Sequence, residues 1–260
     1  MTPALEAHLR RRRDSGRPLL LPYVTAGVTG DWPDVVRAYA DAGADAIEIG
    51  FPFSDPMLDG TTIQEASDRA LSAGATPRGI LAELARLDAA VPLVAMTYTN
   101  LVEQRGPRRF CAALRESGLR GLIVPDSPLE EVGDLEKAAA EEDLDLVLLA
   151  APSSSAARLR EIGRRSRGFV YAVTHMGTTG ERERLPGGAQ RLAGELKGLT
   201  DRPVLLGFGI STPDQAAALA PCADGVVVAS ALMRRLLDGA APAELGEYVA
   251  SIRNALDRGA

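Results

Sequence analysis

Histidine, cysteine and lysine are scarce in this 260-residue sequence, and each shortage closes a route. The histidines are His8 and His175 and the cysteines Cys111 and Cys222. Two distant cysteines make neither a disulfide framework nor a Cys-x-x-Cys site, and two histidines cannot build a His-rich metal cluster, so no metal is expected. Lysine occurs only at Lys137 and Lys197, which leaves little material for Schiff-base chemistry. No run of about 18 apolar residues occurs, and residues 1–16 lack the apolar stretch of a signal peptide, so a cytoplasmic, reducing location is expected. A basic surplus is missing as well. The net charge of −6 provides no general field for nucleic acid or an anionic membrane, and any anionic ligand has to be gripped locally.

What is present is the composition of a folded enzyme domain, 46% hydrophobic and 25% charged. Short apolar, β-branched runs recur at Leu19–Val24, Ala46–Gly50, Leu93–Met96, Gly121–Val124, Leu146–Leu149, Phe169–Val173, Val204–Gly207 and Gly225–Val228. Between them lie segments with apolar residues at helical spacing, including Pro33–Ala42, Arg108–Ser117, Glu130–Glu142, Ala156–Arg165, Ala189–Leu199 and Pro213–Ala220. Strand and helix alternate, which calls for parallel pairing through right-handed crossovers. Eight such units at this length, with no linker dividing them, predict an α/β fold: a single (β/α)8 TIM barrel over 1–260, with 1–16 an extra N-terminal helix packed at the barrel bottom. An open doubly wound sheet is the alternative. Asp31 is a candidate helix cap, with Gly43 and Gly118 as helix stops and Ser211-Thr212-Pro213 as a helix start.

Active sites of such barrels gather at the C-terminal ends of the strands, so polar residues where an apolar run stops carry the information. Glu48 stands inside the otherwise apolar run Ala46–Gly50, on the same face as Ala46 and Gly50. Facing inward, it is a desolvated acid with a raised pKa, able to exchange a proton near neutral pH. The competing structural reading is a buried Glu paired with an arginine, but the neighbouring strand ends carry no basic residue. The loop that follows, residues 51–62, is shaped by two prolines and a glycine and brings two more carboxylates, Asp55 and Asp59. Either could be no more than a turn former. Small residues recur at consecutive strand ends: Gly177 to Gly180 after the sixth run, Gly207-Phe208-Gly209 at the seventh, and Ala229-Ser230 opening a helix after the eighth. Backbone N–H groups there can approach an anion, which makes this the candidate phosphate pocket.

The stretch from Ala44 through Gly60, followed by Thr62-Ile63-Gln64, resembles the signature of the tryptophan synthase alpha chain family. The resemblance continues through Pro22–Gly27, Met96–Asn100, Val124-Pro125-Asp126 with Pro128, Tyr171 to Gly180, Gly207–Ser211 and Asp224–Ser230, in unbroken order from about residue 18 onward. It implies a (β/α)8 barrel that cleaves indole-3-glycerol phosphate to indole and D-glyceraldehyde 3-phosphate, without a cofactor, in tryptophan biosynthesis. Glu48 and Asp59 match the family's catalytic acids. Gly180, Gly209 and Ser230 match phosphate-contacting positions, flanked by Thr179 and Ala229. Tyr171 matches a tyrosine close to the catalytic glutamate, and Tyr23, Tyr98, Met96, Ile123 and Phe208 fall where the family lines its indole pocket. Asp55 and Pro56 fall in the loop that touches a beta chain, which implies an alpha2beta2 tetramer.

Three departures from the family pattern stand out. Thr61 replaces a usual proline, Thr174-His175 replaces a Ser-Arg pair, and Ala229 replaces a glycine whose exchange puts a Cβ beside the phosphate. The alternative functions are a stand-alone indole-releasing lyase of a side pathway, a barrel retained as a beta-chain activator, and another phosphate-binding barrel enzyme.

Overall fold

The computed structural model describes residues 4–173, 187–207 and 209–259. Eight strands pair in parallel in chain order and close into a barrel: β1 (Leu19–Thr25), β2 (Ile47–Gly50), β3 (Leu93–Met96), β4 (Gly121–Ile123), β5 (Asp145–Ala150), β6 (Val170–Val173), β7 (Val204–Gly207) and β8 (Gly225–Val228). Closure runs from Leu19 opposite Gly225 to Pro22 opposite Val228. Around the barrel lie α1 (Leu5–Asp14), α2 (Trp32–Asp41), α3 (Thr61–Ser72), α4 (Pro77–Leu84), α5 (Thr99–Arg105), α6 (Pro107–Glu116), α7 (Gly133–Glu141), α8 (Ala156–Arg165), α9 (Gly187–Lys197), α10 (Pro213–Leu219), α11 (Ser230–Leu237) and α12 (Pro242–Gly259). Among the described residues no helix is long and apolar enough to cross a membrane.

The predicted strands agree with these to within a residue or two at each end, as fraying allows. Beyond the helices named from the sequence, the chain also forms α3, α4, α5 and α12, so β2 and β3 are each followed by two helices. Asp31 precedes α2, but its side chain makes no capping bond; Pro33 at the first turn presets the backbone instead. Thr212 does cap α10, accepting from the Gln215 amide.

Two apolar layers follow from the strand period. Alternate residues point inward and form one cluster, with Leu19, Leu21, Ala46, Val94, Ile123, Val147, Phe169, Tyr171, Leu205 and Val227. Their neighbours point outward against the helices. Leu5 and Leu9 of α1, both fully buried, join the inner cluster. They close the end where the strands begin, where the Glu6 amide donates to Asp145 Oδ2 at 2.8 Å. The interior is therefore packed from one end, and only the other end has room for chemistry.

Candidate active site

Glu48 lies in β2 opposite Tyr23 of β1 and Val94 of β3. It shares the inward face with Ala46, so the strand period carries it into the barrel near the C-terminal end. The residue is 1% exposed, and its Oε1 has no hydrogen-bond partner among the described residues. Burial pushes its carboxyl up to about 8, with no cation among the described residues offsetting the effect.

Asp59 comes from the loop after β2. Burial raises its carboxyl to about 6, and a hydrogen bond from Tyr98 opposes that rise. The Tyr98 hydroxyl donates to Asp59 Oδ2 at 3.0 Å while accepting from the Leu58 amide at 3.2 Å. Tyr98 is itself held by Phe53, stacked at 5.0 Å between ring centroids. Gln64, on the first turn of α3, donates to the Asp59 carbonyl at 2.9 Å. Thr61 in place of proline is the first residue of that helix, a position that any ordinary helix former can fill.

Tyr23 and Tyr171 reach the same space from opposite walls. The Tyr23 hydroxyl bonds Thr25 Oγ1 at 3.1 Å and passes over Gly50, where an added Cβ would lie 1.8 Å from that oxygen. The Tyr171 hydroxyl passes over Gly207 in the same way, 2.3 Å from an added Cβ. Gly207 therefore makes room for a tyrosine. Desolvation holds both phenols in the neutral form, with the Glu48 and Asp59 carboxylates acting in the same direction.

A narrow cavity of about 20 Å³ joins these groups, lined by Tyr23, Glu48, Asp59, Ile63, Met96, Tyr171, Gly209, Ala229 and Ser230. Eight of the residues singled out from the sequence, Met96 among them, thus meet in one place. Tyr98 acts beside them through Asp59. Thr179, Gly180 and Phe208 fall outside the described residues. Gly209 has φ +85°, a conformation that favours glycine. Ala229 has φ −120°, outside the left-handed region, so its Cβ imposes no left-handed strain. Ser230 is the first residue of α11, with its amide at the positive end of the helix dipole. Asp55 and Pro56 stand apart from the cavity: Asp55 is exposed and accepts from Ser54 Oγ at 2.6 Å, while Pro56 is buried. Beside them, Met57 is 77% and Leu58 42% exposed.

Sequence reasoning missed the supporting roles of Ile63 and Gln64. Their signal was position, since both sit on the first turn of the helix that follows the Asp59 loop.

The family model of the tryptophan synthase alpha chain matches residues 9–254. Among curated relatives, the tryptophan synthase alpha chain of Halorhodospira halophila is 43% identical over 259 residues, covering 95% of this chain and 94% of that protein. The alpha chain of Prochlorococcus marinus is 41% identical over 260 residues, with 96% and 94% covered. Among solved structures, a Mycobacterium tuberculosis tryptophan synthase chain superposes with a TM-score of 0.89 at 35% identity, covering 98% of this chain and 99% of that one. With the family model and these relatives matching over nearly the whole length, this chain belongs to the tryptophan synthase alpha chain family.

Proposed function

We propose that this chain cleaves indole-3-glycerol phosphate to indole and D-glyceraldehyde 3-phosphate, with Glu48 and Asp59 as the catalytic residues. The observation that carries this reading is the separation of two carboxyls facing one cavity, at about 8 for Glu48 and about 6 for Asp59. Between those values Glu48 holds its proton while Asp59 is ionised, so one acid and one anion coexist at neutral pH.

That pair suffices for a retro-aldol cleavage. Glu48 protonates C3 of the indole ring, and positive charge develops at the ring nitrogen. The Asp59 carboxylate stabilises that charge, and its hydrogen bond from Tyr98 fixes its direction. Glu48, now ionised, removes the proton of the side-chain hydroxyl next to C3. The oxygen's electrons form the aldehyde, the C3–carbon bond breaks, and its electrons restore the neutral indole. One proton has moved from oxygen to carbon, and Glu48 is protonated again. The ring serves as the electron sink, so the residues perform every step. Tyr23, Tyr171 and Met96 offer flat or apolar walls for the indole. Gly209, Ala229 and Ser230 offer the phosphate end, with Thr179 and Gly180 assigned to it by family resemblance.

The same reading gives the chain a beta-chain partner in an alpha2beta2 assembly. Asp55, with the exposed apolar side chains of Met57 and Leu58, forms the contact, and the buried Pro56 shapes the loop between them, which continues into the loop that holds Asp59. No observation favours a stand-alone lyase or a non-catalytic activator over it. Indole release from indole-3-glycerol phosphate, followed with and without a beta chain, tests the assignment. Slow turnover alone and faster turnover with the partner is the expected result. Absence of indole in both conditions, with the substrate saturating, would overturn it.

A further inference from the structure

The two elements that carry the candidate phosphate end lean on one side chain of α12. Tyr248 donates its hydroxyl hydrogen to the main-chain carbonyl of Ser211, across 37 residues of chain. Ser211 lies two residues beyond Gly209. From the other side, the amide and the hydroxyl of Ser211 both donate to Gln215 Oε1, at 2.8 and 3.1 Å. The loop after β7 is thereby gripped at both ends of one residue. The Tyr248 ring also meets the other element. The Arg235 guanidinium carbon stands 3.9 Å from the ring centroid, a cation–π contact to α11, which begins at Ser230. Tyr248 itself is half-buried against the layer between barrel and helices and does not line the cavity.

We propose that Tyr248 is a positioning residue for phosphate recognition, setting the place of Gly209 relative to Ser230. The proposal rests on the reading of Gly209 and Ser230 as the phosphate end. Its physical basis is that an anion held by backbone N–H groups depends on their distance and direction, both of which weaken steeply when misaligned. The β7 loop and the start of α11 belong to different β/α units, and Tyr248 touches both. Among the described residues, neither Glu48 nor Asp59 is bonded to Tyr248, Ser211 or Arg235. Loss of the Tyr248 contacts therefore weakens binding and leaves the proton transfers alone, the pattern of raised KM at constant kcat.

Tyr248→Phe removes the bond to Ser211 and keeps the ring under Arg235. KM for indole-3-glycerol phosphate and the competitive inhibition constant of inorganic phosphate are both expected to rise about fivefold, the usual worth of one hydrogen bond, with kcat unchanged. Arg235→Gln, which removes the cation–π contact alone, shifts both constants in the same direction by less. Unchanged constants in Tyr248→Phe overturn the proposal, whether or not the melting temperature falls. A drop in kcat at constant KM overturns it as well. If inorganic phosphate fails to inhibit the unaltered chain, the phosphate reading of Gly209 and Ser230 falls first and takes the positioning role with it.

Discussion

Asp45 and Glu48 sit three residues apart in the chain, both fully enclosed, and they face opposite fates at the two ends of the barrel. Asp45, just before β2, accepts hydrogen bonds from the Leu20 amide at 2.9 Å, Arg12 Nε at 2.8 Å and Arg253 Nη1 at 3.3 Å. It ties β1, α1 and α12 together. Glu48 faces the opposite end with no cation in contact and one oxygen without a partner among the described residues. Burial alone therefore does not mark a carboxylate as catalytic. What separates the two is satisfaction: hydrogen bonds and cations tie Asp45 to a structural role, whereas a partner-poor carboxyl is left able to exchange its proton.

Exchanging each acid tests that contrast. Glu48→Gln keeps the shape and removes the proton transfer, and the indole-release assay is expected to show kcat lower by about 10²–10⁴. Its stability moves the other way. The folded-state pKa of Glu48 is raised, so its favourable contribution is complete below the ordinary carboxylate range and is lost as pH rises through about 8. Denaturant unfolding above pH 8 should find the Gln variant more stable than the unaltered chain, by an amount on the order of a few kcal/mol. Full activity in this variant would reduce Glu48 to a second Asp45.

Asp45→Ala should produce the reverse pattern. It takes from Arg253 one of its two carboxylate partners, Asp257 remaining, and takes from the Leu20 amide its Asp45 acceptor, and is expected to cost about 1–3 kcal/mol in unfolding experiments. The kcat of the protein that remains folded should not change. A loss of kcat with stability intact would mean that the closed end participates in the chemistry.

The smallest effect sharpens the distinction within the active end. Activity should follow a bell with limbs near 6 and 8, because Asp59 must be ionised and Glu48 protonated. Tyr98→Phe keeps the stack on Phe53 and removes a donor that favours ionised Asp59. A pH profile of kcat/KM should show the acid limb displaced upward and the alkaline limb in place. Displacement of both limbs would mean that Tyr98 acts on Glu48 too.

Much of the fold was legible because barrel strands buried on both faces announce themselves as apolar runs, and all eight strands lie within a residue or two of their runs. The short helices were harder to read. α5 has seven residues, and the buried face of α3 is built from Ile63, Ala66, Ser67 and Ala70, a weak apolar stripe. Glu48 was visible because a carboxylate inside such a strand breaks its pattern. Gly207 was misleading, since small residues at a strand end look alike whether they admit an anion or, as here, the hydroxyl of a neighbouring tyrosine. Asp31 misled for another reason: its backbone, at φ −103° and ψ 15°, is not in the extended conformation from which Thr212, at φ −137° and ψ 153°, caps α10.

The sequence by itself determined the β/α rhythm and the family and pointed to two acids, because these depend on residue types in chain order. Only the tertiary structure decided what those acids can do. The pKa of Glu48 is set by enclosure among strands distant in sequence, and that of Asp59 by enclosure and a tyrosine 39 residues away. Desolvation and hydrogen bonding are properties of neighbours in space, and a linear order of residues does not contain them until the barrel closes.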